Sequence, residues 1–438
     1  MKQLLLINDS KANQISYYHV MLLMASLPFD RFYSHVILIS FIAHTLIHLQ
    51  KVKFRAIFTL KTPILQSVFF VAVIATAYSL YRTEAFTEWV LRLPVLIFPA
   101  IFLLNGLDLK KYRSNFLLAF ALVCTATVTY LYIDALITIK YYHLPVKTIL
   151  SPAFTNHNFS EPLDIHATFF SLQLVIALVY LLTLLFTPIS WPVKLFYGVC
   201  GSILLCGMIQ LSSKSILAVL FVVVNLALPY CLLTGKSKVK FIMAGIAISG
   251  LAFTIVLNVP SFKERYLTSL TDDFSEFKPG ENTDSRYARW HIVANLIKQK
   301  PLIGHGSGSE QPLLHDEFFR AKMYNSFLAN LNSHNQYFSF LVKSGAWGLL
   351  VFLLTLGYGF KTAIQKKDMI FISFLLLISI VSLSENVLDA DKGVMFYSLF
   401  FTFLLLSDGG SKPAGIVENK SSEYLNEVAT NGLALTSY

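Results

Sequence analysis

Two groups of residues in one polar stretch have side chains suited to binding an anion and moving a proton. Arg286 and Arg289 are three residues apart, so on a helix both guanidinium groups could approach one anion, and the planar guanidinium matches phosphate oxygens. His334 lies between Ser333 and Asn335, and a histidine side chain can accept a proton from a hydroxyl group. Taken alone, these residues also fit a pair of solvated surface arginines and an interfacial histidine that caps the next helix.

This polar stretch interrupts a very apolar chain. Of 438 residues, 55% are hydrophobic and only 14% are charged, and the mean hydropathy is +0.60. A soluble chain of this length would need more charge to cover its surface. Because apolar runs of about 20 residues recur along the whole chain, the sequence predicts an all-α polytopic membrane protein.

The hydropathy pattern predicts about 12 transmembrane helices. Residues 1–260 would contain spans 1–9, residues 261–335 a large outward loop, and residues 336–407 the last three spans. Residues 408–438 form a polar tail that is expected to be disordered and cytoplasmic. The predicted spans are 15–29, 33–49, 63–81, 87–105, 115–137, 165–187, 192–211, 214–233, 240–258, 336–360, 369–384 and 392–407.

Basic residues are concentrated in alternate loops. The positive-inside rule places those loops and both termini in the cytoplasm, so the 261–335 loop would face outward. The net charge of +10 therefore reports topology, and no nucleic-acid partner is predicted. Within the loop, Arg286–Lys300 has apolar residues at helical spacing, which predicts an amphipathic helix against the membrane face or the mouth of the bundle.

No motif predicts a nucleotide or a metal ion. The turn 304–308 is rich in glycine, but no strand precedes it and no Lys-Ser/Thr pair follows it. It therefore lacks the features of a phosphate loop. The cysteines lack metal-ligand spacing and are interpreted as small core residues. They are Cys124, Cys200, Cys206 and Cys231.

Charged and polar residues also lie in or beside the predicted spans. Arg92 is inside the fourth span at a depth that hydropathy leaves open, and a buried guanidinium is rarely retained without a partner. Lys214 lies in the hairpin between spans 7 and 8, His166 begins span 6, and Glu385 and Asn386 end span 11. Taken singly, each of these residues could be an interfacial residue whose polar group extends from the membrane surface into water. The predicted topology, however, places all of them except Arg92 on the outward side.

Several motifs follow one another in the second half of the chain. They are Arg286 with Trp290, Pro301-Leu302-Ile303-Gly304-x-Gly306-x-Gly308, Ser333-His334-Asn335-Gln336-Tyr337, and Gly345-x-x-Gly348. Their combination resembles the O-antigen ligase/polymerase superfamily over roughly residues 200–405. Ser382-Leu383-Ser384-Glu385-Asn386, with Gly393 and Phe396, is similar to the closing signature of its Bacteroidetes-type members.

The resemblance implies a C-type glycosyltransferase-like helical bundle in the bacterial inner membrane, with its active site facing the periplasm. Such proteins transfer a glycan from an undecaprenyl-pyrophosphate donor to an acceptor hydroxyl group. The acceptor is the lipid A–core sugar in ligases, another repeat unit in polymerases, and a protein Ser or Thr in relatives. The resemblance implies that the reaction needs neither nucleotide, cofactor nor metal, and membrane lipid is the remaining partner.

The resemblance also implies roles for single residues. Arg286 would stabilise the departing pyrophosphate, with Arg289 as a second contact, and His334 would act as base or positioning group for the acceptor hydroxyl. Lys214 stands where ligases carry an arginine, so the charge is kept and the bidentate fork is lost. Arg92 and His166 are weaker candidates for donor contact. The supporting residues are Asn335, Trp290, Glu385 and Asn386.

The first hypothesis is therefore an O-antigen ligase of lipopolysaccharide biosynthesis. A repeat-unit polymerase and a protein O-oligosaccharyltransferase are the alternatives within the enzyme class. A transporter of the same lipid-linked glycan is the alternative from another class. It is disfavoured because a carrier should show two halves with corresponding interrupted helices, whereas this chain has most of its polar residues in one loop.

Overall fold

The computed structural model describes residues 2–49, 54–268, 271, 273 and 285–407, and its regular elements are helices. The tail 408–438, which was expected to be disordered, lies outside the described residues, as does part of the outward loop. The main helices are α1 (Lys11–Ser26), α2 (Arg31–Ile47), α3 (Lys61–Thr76), α4 (Arg82–Leu104), α5 (Leu109–Tyr141), α6 (Ala167–Leu185), α7 (Trp191–Leu211), α8 (Lys214–Leu232), α9 (Gly235–Leu257), α10 (Arg286–Gln299), α11 (Glu310–Arg320), α12 (Gln336–Gln365), α13 (Met369–Val381) and α14 (Asp391–Leu406).

Every predicted span overlaps one of the helices α1–α9 or α12–α14. Six of these, α4 to α8 and α12, are long and apolar enough to cross a membrane, and α2, α3 and α13 are shorter apolar helices. This confirms the all-α polytopic membrane protein, while the number of spans and their orientation stay predictions. The described residues also form short helical segments: Lys2–Leu5, Phe54–Ile57, Val146–Leu150, Pro152–Phe154, His157–Ser160, Glu161–Leu163, Pro260–Lys263, Glu264–Thr268, Tyr324–Leu328 and Val387–Asp389.

Helix α6 is the centre of the bundle. All of its residues from Ala167 to Leu181 are buried, because it is apolar on every side and packs against α5, α7 and α13. At the edge, α9 exposes large apolar side chains such as Met243 and Leu251, as expected of a lipid-facing helix. The prediction that all four cysteines are core residues was wrong for Cys206, which lies exposed on the outer side of α7.

The described residues of the loop 261–335 form a small cap at one end of the bundle. Val293 and Leu296 of α10 and Leu314 and Phe318 of α11 form its core, together with Val342 of α12. The helix predicted over Arg286–Lys300 is present as α10, and its buried residues are Arg289, Val293 and Leu296. Its predicted position against the membrane face or the mouth of the bundle stays a prediction. The cap therefore brings α10 into contact with the start of α12.

The glycine-rich turn packs against a kink in α12. Gly345 has a φ of 67°, which breaks the helix, and the turn supplies bonds that the broken helix lacks. His305 N donates to Val342 O at 2.7 Å, and Gly306 N donates to Lys343 O at 2.8 Å. Gly304 is required here because a Cβ would lie 2.6 Å from Gly345 N. The kink, which hydropathy does not predict, sets the position of Lys343.

Candidate functional site

His334 lies in a loop whose backbone is held by side chains. Its φ of 46° is in the left-handed region, which is unfavourable for a residue with a Cβ. Its N–H donates to Asn332 Oδ1 at 2.9 Å, and the N–H before it, from Ser333, donates to Glu310 Oε1 at 3.1 Å. The N–H after it, from Asn335, donates to Asn386 Oδ1 at 2.7 Å. These bonds on successive residues stabilise the unusual conformation and orient the imidazole.

Asn335 and Trp290 hold the same loop from its two sides. Asn335 Oδ1 accepts hydrogen bonds from Tyr337 N at 3.0 Å and Phe338 N at 3.1 Å, so it caps α12. Trp290 Nε1 donates to Ser333 O at 3.0 Å and thereby joins α10 to the loop. Both supporting residues predicted from the sequence therefore lie next to His334.

The imidazole of His334 pairs with Glu385. His334 Nδ1 is 3.3 Å from Glu385 Oε2. Burial opposes ionisation of Glu385, but the hydrogen bond and charge of His334, aided by His166 and Arg286, hold the pKa of this carboxyl below its ordinary value. An ionised carboxylate only accepts hydrogen bonds, so Nδ1 carries the hydrogen and Nε2 is left to exchange a proton with a substrate.

Two of the predicted phosphate contacts meet at one carboxylate. Arg286 Nε is 3.5 Å from Asp273 Oδ1, and Lys214 Nζ is 3.0 Å from Asp273 Oδ2. Arg286 Nη1 also donates to Ser384 O at 3.2 Å, beside Glu385. Lys214 and Arg286 are far apart in sequence, and Asp273 holds both cations near the His334–Glu385 pair.

Arg265 is a cation of this region that the sequence analysis missed. It follows α9 in the segment Glu264–Thr268 and is partly buried. Burial, followed by the positive charge of Arg286, lowers the pKa of its guanidinium, while Asp273 and Glu385 act in the opposite direction. Nothing in its local sequence distinguishes it from the other loop arginines, so only the fold could find it.

His166 borders the same region through a second histidine. Its Nδ1 accepts a hydrogen bond from Thr168 N at 3.3 Å, so it caps α6, and its ring centroid is 4.0 Å from that of His157. Burial, followed by the charge of His157, lowers the pKa of His166 to about 4. His166 is therefore neutral at pH 7 and would contact a donor through hydrogen bonds rather than as a cation.

Beneath the loop is a buried cluster of charges. Arg92 is 1% exposed; its Nη1 is 2.8 Å from Glu88 Oε1 and its Nη2 is 2.7 Å from Asp389 Oδ1. Lys343 Nζ lies 2.7 Å from Asp389 Oδ1, 3.2 Å from Glu88 Oε1 and 3.7 Å from Glu310 Oε2. Arg92 is thus engaged on both sides by carboxylates, which suits a positioning role, and its contact with a donor stays a prediction.

Asn386 connects this cluster to the His334 loop. Its Nδ2 donates to Glu310 Oε1 at 3.0 Å and to Asp389 Oδ2 at 3.2 Å, while its Oδ1 accepts from Asn335 N. Although burial opposes ionisation of Asp389, the charges of Lys343 and Arg92 hold its pKa well below the usual range. The cluster therefore stays ionised and anchors the segment that carries Glu385.

The glycine-rich turn contributes to the cluster directly. Glu88 Oε2 accepts hydrogen bonds from Ser307 Oγ at 2.6 Å and from Gly308 N at 2.8 Å. The sequence analysis missed Glu88 and Lys343 as site residues, although signals existed. Glu88 is four residues before Arg92 on one helix, and Lys343 is a charged residue in an apolar span.

Arg289 has different surroundings from Arg286. It is 6% exposed and lies on the face of α10 that also buries Val293 and Leu296, whereas Arg286 lies at the rim. Their joint contact with one anion stays a prediction.

Comparison with known proteins gives two findings. Residues 167–353 match the model of the family described as O-Antigen ligase. An uncharacterized protein of Haemophilus influenzae is 30% identical over 120 residues, which are 26% of this chain and 30% of that protein. The chain thus covers less than a third of that relative's length. The family match supports glycosyl transfer of the O-antigen ligase/polymerase type, and residues 167–353 confirm the predicted resemblance to the O-antigen ligase superfamily.

Proposed function

We propose that this protein transfers a glycan from an undecaprenyl-pyrophosphate donor to an acceptor hydroxyl group at the periplasmic face of the inner membrane. The reaction favoured is ligation of O-antigen to lipid A–core. In the proposed topology, both termini of the chain lie in the cytoplasm. The observation that carries the proposal is the His334–Glu385 pair, with Nδ1 3.3 Å from Oε2, beside Arg286 and Lys214. A proton-accepting pair next to cations suits attack by a hydroxyl on a carbon that bears a phosphate leaving group.

In the proposed reaction, His334 Nε2 takes the proton of the acceptor hydroxyl. At the same time the hydroxyl oxygen forms a bond to the anomeric carbon of the glycan. The bond from that carbon to the pyrophosphate oxygen breaks, and the electron pair leaves with the pyrophosphate. Arg286 and Lys214 stabilise the charge that develops there. Glu385 stabilises the imidazolium that forms on His334. The step as proposed uses neither a nucleotide nor a metal ion.

The same chemistry would serve a repeat-unit polymerase or a protein O-oligosaccharyltransferase, because these differ only in the hydroxyl that attacks. A transporter of the lipid-linked glycan would also need cations, whereas transfer additionally needs a base for the attacking hydroxyl, which the His334–Glu385 pair can supply. The His334–Glu385 pair thus favours an enzyme over a transporter.

The surface glycan of a deletion strain tests the proposal. A ligase predicts loss of long chains from lipid A–core and accumulation of polymer on the lipid carrier. Chains of a single repeat would indicate a polymerase instead, and loss of protein glycosylation the third enzyme. Complementation with His334→Ala, checked for membrane insertion, should fail to restore the chains. His143→Asn, a change at an exposed histidine with a φ of 53°, should restore them.

A further inference from the structure

An open pocket of about 600 Å³ lies in the cap beside the His334 loop. Its walls come from the start of α4, from α11 and from the segment that precedes His334. The residues that matter are Glu84, Gln311, His315, Asp316, Phe327 and Asn330. None of them has a role in the proposed transfer step.

The pocket combines an aromatic wall with polar groups. The ring of Phe327 packs against the ring of His315, with centroids 4.0 Å apart. Glu84 and Asp316 add carboxylates, and neither forms a salt bridge with another described residue. The two carboxylates lie close to the Tyr81 phenol. Its pKa is raised by burial and, in addition, by the negative charges of Asp316 and Glu84. The pocket is therefore negatively charged.

These features match the chemistry of a sugar ring. A pyranose has an apolar face of C–H groups, which an aromatic ring can cover, and a rim of hydroxyl donors, which carboxylate oxygens accept. Few polar groups around an apolar wall are typical of small-molecule sites. The negative potential disfavours a phosphorylated ring and tolerates a neutral or amino sugar.

The pocket and the cations reach His334 by different routes. Gln311 Nε2 donates to Asn330 O across the pocket, and the neighbouring Glu310 holds Ser333 N at 3.1 Å. The cations Arg286 and Lys214 instead approach through Asp273 and Ser384. The pocket and the cations are thus joined to the His334 loop through different residues.

We propose that this pocket binds an unphosphorylated pyranose of the acceptor glycan and so presents the attacking hydroxyl to His334. The inference rests on the proposed function, because it assumes that His334 faces an acceptor. The donor glycan offers the same ring chemistry, so the test must separate these two sources.

Equilibrium binding to the full-length His334→Ala protein in detergent gives that test, because this variant should bind without turnover. The probes are core oligosaccharide released from lipid A and repeat-unit oligosaccharide. Asp316→Asn and Glu84→Gln replace a charge-assisted hydrogen bond by a neutral one, and Phe327→Ala removes the aromatic wall. Each should weaken binding of the core oligosaccharide about tenfold, or by about 1.4 kcal/mol. The matched control is Glu317→Gln, next to Asp316, which removes only a surface pair with Arg320 at 2.7 Å and should leave binding unchanged.

Three outcomes decide the matter. Weakened binding of core oligosaccharide alone supports the acceptor pocket. Weakened binding of the repeat unit alone overturns the assignment of the pocket to the core acceptor. Unchanged binding of both probes, in variants whose unfolding temperature matches the parent, overturns the pocket as a sugar site. The proposed function is tested apart from this by turnover: transfer that survives His334→Ala would remove the catalytic role, whatever the pocket binds.

Discussion

His334 Nδ1 and Glu385 Oε2 are 3.3 Å apart, although the two residues are separated by 51 positions in the chain. Glu385 follows α13, and His334 precedes α12. The pair exists because Asn386, the neighbour of Glu385, binds Asn335 N at 2.7 Å, next to His334. Two loops are thus joined by two adjacent contacts, one from a backbone N–H to a side chain and one between two side chains.

Replacing Glu385 should impair the chemical step rather than binding. Glu385→Gln can still hold the His334 ring, but it has no charge to stabilise an imidazolium, so kcat should fall on the order of 10²-fold. In steady-state kinetics, KM for the donor should change little. Retention of most of the wild-type kcat would mean that Glu385 only packs against the histidine.

Arg286→Lys should weaken donor use. The guanidinium contacts Ser384 O through Nη1 and Asp273 through Nε, and an ammonium group cannot take both positions and still present a fork to phosphate. We expect kcat/KM for the donor to fall about tenfold, with KM for the acceptor unchanged. Lys214→Arg is the matched control, since it keeps the charge beside Asp273, and it should retain activity.

Lys343→Met should destabilise the protein. The substitution leaves three buried carboxylates, those of Glu88, Glu310 and Asp389, beside the single cation Arg92. Removing one partner of a buried ion pair lowers the free energy of unfolding by about 3–5 kcal/mol. Unfolding in detergent, followed against denaturant, measures the loss. Adding Asp389→Asn removes one of the unbalanced charges and should recover part of the stability. A double variant no more stable than Lys343→Met would show that the charges do not interact.

Gly308→Ala should also destabilise the protein. Gly308 has a φ of 76°, and a Cβ there would lie 2.6 Å from Glu84 C. Strain of this kind costs roughly 1–3 kcal/mol, and the turn that holds Glu88 would have to move. Gly357→Ala in α12, where a Cβ meets nothing within 4 Å, is the control and should be neutral or slightly stabilising. Equal effects of the two alanines on unfolding would contradict the close packing at Gly308.

The depressed pKa of His166 predicts a pH dependence of stability. In the folded protein the pKa of His166 is about 4, whereas the ordinary pKa of a histidine side chain is 6.5. Between pH 4 and pH 6.5 the unfolded chain binds more protons than the folded protein. The free energy of unfolding should therefore fall as the pH drops from 6.5 to 4, and His166 should cause no further loss below pH 4. His157 shifts in the same direction, also through burial. Unfolding measured across this range should show a shallower slope for His166→Asn, and an unchanged slope would exclude His166 as its source.

The sequence by itself determined the membrane-embedded, all-α character of this protein and placed Arg286 and His334 in one polar stretch. These properties are local: an apolar run predicts a helix wherever its neighbours lie. It also located α10, because the helical spacing of apolar residues is visible within a single segment.

Tertiary structure decided what surrounds each charged group. Arg92 and Asp389 are 297 positions apart and meet at 2.7 Å, and Lys343 reaches both Glu88 and Glu310 only because Gly345 breaks α12 against the glycine-rich turn. Hydropathy identifies a buried charge but not its partner, since the partner depends on which helices pack together. The same holds for Arg265 and for the acidic pocket, whose residues become neighbours only when the cap folds onto α4.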